Sequence, residues 1–233
     1  HGNVVQSAGA ITIEGNDSAG ISVETAIDGT VQTAGAITVT GDRSYGLHTA
    51  STVGGNVSVL SSVSAQGAGS VAVATDDDIG GKLVLGNSVV ATGFRYTTRP
   101  ADAATAKLDA DDLLIGGPAV RVRGDVKGGI LIDAPPADLD PNDADEDKDG
   151  IDDDKEGTAA VRSFGSAAAV RIGSATQAVT IGPVAGTGTG LGLIIEGSVI
   201  GNGLYAGKDG NGMQIGGLGG AVNIAGGIGI STT

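Results

Sequence analysis

"TVQTAGAITVTGDRSYGLHTASTVGG", residues 30–55, is one unit of a repeat. Units 4–29 and 56–81 align with it at an offset of 26 with no gap. Val5/Val31/Val57, Ile11/Ile37/Val63, Gly15/Gly41/Gly67, Ser18/Ser44/Ser70, Ile21/Leu47/Val73, Ile27/Val53/Ile79 and Gly29/Gly55/Gly81 fall in phase. Inside each unit, apolar residues alternate with polar ones, as in "AITVTG", which is the period of a strand with one buried face. Glycines mark the corners, where the backbone often needs positive φ. Each unit therefore reads as three short strands and three turns. One such coil cannot bury its own inward face, so coils must stack with strands ~4.8 Å apart. The expected fold is all-β: a single domain over 1–233, a parallel β-helix with three strands per 26-residue coil, right-handed as parallel crossovers nearly always are. Ile37 is expected to point inward between Ile11 and Val63, and Ser44 to lie in an outward corner.

Beyond residue 81 the register holds from Lys82 to Gly93, with Leu83, Leu85 and Val89 on the ladders. Two insertions then interrupt it. The first spans 94–116. The pattern resumes at "AVRVRGDVKGGILID", with Gly128 and Gly129 expected in the places of Gly80 and Gly81. The second insertion spans 134–157. A wider repeat at offset 43 follows, "VRIGSATQAVTI" from Val170 matching "MQIGGLGGAVNI" from Met213. Six or seven coils result, a stack on the order of 30 Å long.

Composition agrees with thin, repetitive layers: 43 glycines, no tryptophan and two phenylalanines among 233 residues, yet 40% hydrophobic. The net charge of -14 excludes nucleic acid, whose phosphates require basic patches, and argues against an anionic membrane surface. Without cysteine there is neither a disulfide framework nor thiol chemistry. No apolar run approaches the ~18 residues of a membrane span, and no signal peptide opens the chain, which starts and stops in mid-pattern like a segment of something longer.

The second insertion carries the chemistry. From Asp138 to Glu156 there are eleven carboxylates and two lysines, a net charge of -9. "DEDKDGIDDDKE" fits D-x-D-x-D-G-x5-E, a twelve-residue calcium loop. In that reading Asp145, Asp147 and Asp149 supply oxygens, Gly150 allows the sharp turn, and the Ile151 carbonyl, Asp153 and Glu156 complete the shell. Calcium suits them as a hard ion taking six to eight oxygens. Pro and Gly in the flanks stand where an EF-hand requires helices. The run instead resembles the thrombospondin type 3 calcium repeats over 145–156. That resemblance implies Ca2+ on the same carboxylates, with Asp140, Asn142 and Asp143 able to serve a second ion; the cysteines of the animal repeats are missing. Elsewhere, His48 reads as an exposed strand residue. Asp76, Asp77 and Asp78 read as a solvated turn, since the previous coil offers only Ala50, Ser51 and Thr52 opposite them.

"GLIIEGSVIGNGLYAGKDGNGMQIGGLGGAVNIAGGIGIS" and "GAITVTGDRSYGL" resemble the passenger domains of bacterial autotransporters, over about 185 residues outside the insertions. The resemblance implies an exported β-helix at the bacterial cell surface, bound to the outer membrane or secreted. The expected function is a structural or adhesive module, not an enzyme, that displays a calcium-stabilised loop. Its expected partners are calcium, further copies along the solenoid axis, and a host-surface or polysaccharide ligand. The alternative is a polysaccharide-binding or polysaccharide-cleaving β-helix, which would require paired carboxylates or basic residues aligned across coils.

Overall fold

A computed structural model describes residues 2–93, 96–135, 140, 142–144, 152, 154 and 157–231. Alternating apolar residues form short strands, and the chain winds them into a parallel β-helix. The first coil holds β1 (Val4–Gln6), β2 (Ile11–Glu14) and β3 (Ala19–Val23); the second β4 (Val31–Thr33), β5 (Ile37–Thr40) and β6 (Tyr45–Thr49). The third holds β7 (Val57–Val59), β8 (Val63–Gln66) and β9 (Val71–Thr75); the fourth β10 (Leu83–Leu85), β11 (Ser88–Thr92) and β12 (Val120–Val122). In the fifth are β13 (Ile130–Ile132), β14 (Ala160–Phe164), β15 (Val170–Ile172) and an added corner strand β16 (Val179–Ile181). The sixth has β17 (Leu193–Ile195), β18 (Ser198–Asn202), β19 (Met213–Ile215) and β20 (Val222–Ile224), and β21 (Ile228–Ile230) opens a seventh.

Three parallel sheets run the length of the stack. Their orders are β1-β4-β7-β10-β13-β17-β21, β2-β5-β8-β11-β14-β18 and β3-β6-β9-β12-β15-β19, with β16 and β20 paired at the fourth corner. The second sheet stacks Ile11, Ile37, Val63, Val89, Val161 and Val199 in register. The third stacks Ile21, Leu47, Val73, Val120, Val170 and Met213. At the corner, Ile27, Val53, Ile79, Val126 and Ile181 continue the same motif. Members in the middle coils are fully buried, each contributing about 1.5 to 3 kcal/mol. Corners are stapled from coil to coil: Asn16 Oδ1 accepts from the Asp42 amide, and Asp42 Oδ1 from the Ala68 amide, both at 2.8 Å. Such bonds satisfy donors that a turn would otherwise leave unpaired.

Three local expectations are corrected. In the first coil Val4, not Val5, stacks on Val31, because that coil has one more residue between its first two strands. Gly9 takes φ 81° in this longer corner, and Val5 is 55% exposed. Ser44 is fully buried rather than in an outward corner. Its Oγ donates to the Gly15 carbonyl at 3.0 Å and accepts from the Ser18 amide at 3.1 Å, a rung repeated when Ser70 Oγ accepts from the Ser44 amide. Past the first insertion Val126 stacks on Ile79, so the offset there is 47 residues. Lys127 therefore takes the place of Gly80, and Gly128 that of Gly81, whose carbonyl accepts from the Gly128 amide at 2.9 Å.

The insertions join at strand ends. The first connects β11 to β12 and holds a helical turn, α1 (Asp102–Thr105), and a 3-10 turn, Asp111–Leu113; it rejoins the stack where the Ile115 carbonyl accepts from the Gly69 amide. The second connects β13 to β14, the Ala159 amide donating to the Asp133 carbonyl at 2.8 Å as the chain returns.

Candidate functional site

On the outer face of the third sheet, alternation turns one residue per coil outward: Ser22, His48, Ala74, Arg121, Arg171 and Gln214, in register. Tyr45 joins them through a local irregularity. A Cβ on Gly46 would collide with the core side chain of Val63, so Gly46 faces inward, and the next residue, Leu47, is also fully buried. Two successive inward residues return Tyr45 and His48 to the same face, where their rings stack at 4.3 Å. The small Ala74 between His48 and Arg121 lets the long arginine reach back down the sheet. Its carbon Cζ lies 5.2 Å from the centre of the Tyr45 ring.

Asp76, just past the end of β9, gathers these groups. Arg121 grips it with a fork, Nε to Oδ1 at 3.0 Å and Nη2 to Oδ2 at 2.6 Å. His48 Nε2 lies 3.0 Å from Oδ2. Arg123 Nη1 stands 3.6 Å from Oδ1. Partial burial opposes the charged form of Asp76, but the hydrogen bonds from His48 and Arg121 and the charges of Arg121 and Arg123 outweigh it, and its pKa falls to about 2. Burial likewise opposes the Arg121 charge, and Asp76 and the Tyr45 hydroxyl more than restore it. Asp76 is therefore a fixed anion at neutral pH, unsuited to exchanging protons there.

Arg171, one rung further, differs. Its Nε donates to Gln214 Oε1 at 2.9 Å, and among the described residues its two terminal nitrogens make no hydrogen bond. Burial, with Arg121 and Arg123 nearby, lowers its pKa. Arg121 and Arg123 thus share the Asp76 carboxylate, and Arg171 adds a third positive charge beside them, on a chain whose net charge is -14.

This corrects two expectations. The Asp76 corner is not a solvated turn: Asp78 Oδ1 accepts from the Asp125 amide at 2.9 Å, and Asp77 Oδ1 from the Asp78 amide at 2.8 Å. His48 faces outward as expected, yet only 14% of its side chain is exposed. The arginine partners of Asp76 come from the following coil, and His48 reaches it from the preceding one. Laying "AVRVRG" (119–124) over "AVATDD" (72–77) would have revealed them, since it sets Arg121 beside Ala74 and Arg123 beside Asp76.

The calcium-loop residues Asp145, Asp147, Asp149, Ile151, Asp153 and Glu156 lie outside the described residues. Beside them Asp140 Oδ1 accepts from both the backbone amide and the side-chain amide of Asn142, each at 3.0 Å, which lowers the Asp140 pKa. Among the described residues no group of three or more acidic, histidine or cysteine side chains could hold a metal ion. No helix among them is long and apolar enough to cross a membrane. Comparison with family models, with curated proteins and with solved structures finds no match to this chain.

Proposed function

We propose that the chain is a structural, adhesive module of a bacterial cell surface, a β-helical rod that displays its two insertions, with calcium shaping the acidic one. The continuous ladders carry this reading: six rungs in register from Ile11 to Val199, with both insertions entering and leaving at strand ends. Such a stack holds its own shape while its corners accept chain of any length. The similarity of its repeats to autotransporter passengers favours export. Calcium on Asp145, Asp147, Asp149, the Ile151 carbonyl, Asp153 and Glu156 would offset the repulsion within the run. Among the described residues, the exposed large apolar side chains Val5, Ile215, Ile228 and Ile230 all belong to the end coils, which favours association along the axis. Asp76 is held ionised by hydrogen bonds from His48 and Arg121 and by the charges of Arg121 and Arg123, and this favours binding over polysaccharide cleavage.

The test is limited proteolysis with calorimetry. Calcium is expected to bind in the millimolar range or tighter. Chelation should open cleavage within 140–157 while the β-sheet circular dichroism persists, and Asp147→Ala with Asp149→Ala should reproduce it. An absence of calcium binding at millimolar concentration would remove the ion from the proposal. Unsaturated products or new reducing ends from pectin or alginate would replace it with the enzymatic alternative.

A further inference from the structure

Stacked like charges one rung apart destabilise a sheet unless something offsets them. For Arg121 the counter-charge is Asp76. Arg171, its in-register neighbour, has the neutral Gln214 in that place. Its terminal nitrogens are free of protein acceptors among the described residues, and Arg123, 47% exposed at the side chain, stands close enough to raise the local positive potential. Beside Gln214, where the chain enters β15 and β19, lies a cavity of about 300 Å³ lined by Ser166, Ala168, Asn211, Met213 and Gln214, a small size for a ligand pocket. Hydroxyl and amide groups dominate its polar wall. A guanidinium presents a planar fork of donors that matches carboxylate and sulfate oxygens.

We propose that Arg171, with Arg123 and Gln214 beside it, is a binding site for an oxyanion, a carboxylate or sulfate, and that the cavity beside Gln214 receives the polar body of a sugar acid bearing it. The site is independent of the acidic loop and of calcium. An acidic protein that must bind an anion needs its cations concentrated in one place, and the outer face of this sheet does that between Asp76 and Gln214.

The experiment is calorimetric titration of the whole chain, in calcium-free chloride buffer at constant ionic strength, with sodium sulfate and with galacturonic acid. Saturable binding of either probe that weakens at least tenfold in Arg171→Gln, with unchanged circular dichroism, is the expected result. Arg171→Lys keeps the charge without the fork and should retain a weakened site. Identical binding in wild type and Arg171→Gln, or no binding beyond that of chloride, would overturn the site. Galacturonic acid binding more tightly than sulfate supports the role of the cavity; sulfate binding as tightly would overturn that role.

Discussion

The first three coils and the three that follow solve the same packing problem with different amounts of chain. From Val31 to Leu83 the first sheet advances 26 residues per rung, whereas Leu83 to Ile130 takes 47 and Ile130 to Leu193 takes 63. The ladders do not register the difference. Ile37 between Ile11 and Val63, and Val161 between Val89 and Val199, are equally buried. A solenoid fixes what lies inside a coil and leaves the corner length free, because closing a longer loop costs only about 0.6 kcal/mol per doubling. The early coils accordingly spend their corners on staples such as Asn16–Asp42–Ala68. The later ones carry the insertions and most of the cationic face. Asp76 and Arg121 join the two regions across the first insertion.

A charge in the shared ladder gives the largest expected effect. Ile37→Asp would bury an unpaired carboxylate in a site 1% exposed, cost more than about 4 kcal/mol, and unfold the early coils. Chemical denaturation with an unchanged midpoint would break the assigned register. Applied to Val161, the same substitution should be as damaging if the two regions are one stack; a mild effect there would show that the later coils are held by something besides the ladder.

Next comes the clamp at the boundary. Asp76→Asn leaves Arg121, 10% exposed at the side chain, without its counter-charge, an expected loss of about 2 to 3 kcal/mol in denaturant. A carboxylate whose folded pKa lies below its unfolded value of 3.8 contributes stability above about pH 4, and that contribution disappears as pH falls to about 2. The wild type should therefore lose about 2 kcal/mol over that window from this group, and the variant should lack that part of the acid response. Equal acid sensitivity in both would mean that Asp76 does not link the coils.

The smallest effect tests the first rung. Val5→Thr should change stability by less than about 0.5 kcal/mol, since Val5 is mostly exposed. The same change at Val31, fully buried, should cost about 1 to 2 kcal/mol. Equal costs would restore Val5 to the ladder and remove the one-residue slip.

The sequence by itself determined the strands, the aliphatic ladders and the 43-residue match of Val170 to Met213, because alternation and coil length are local properties that repeat. It also located the acidic run and its spacing. The slip at Val5 escaped it, since one extra residue in "VVQSAG" leaves a valine at either position. So did the burial of Ser44, a polar residue at a corner whose hydroxyl is satisfied in part by the Gly15 carbonyl of the preceding coil. The charged face was decided by tertiary structure. Asp76 and Arg121 are 45 residues apart, and only the length of the first insertion sets which residues of "RVRG" land beside "ATDD". Electrostatic partners across coils depend on where the chain returns to the stack, and no single coil contains that information.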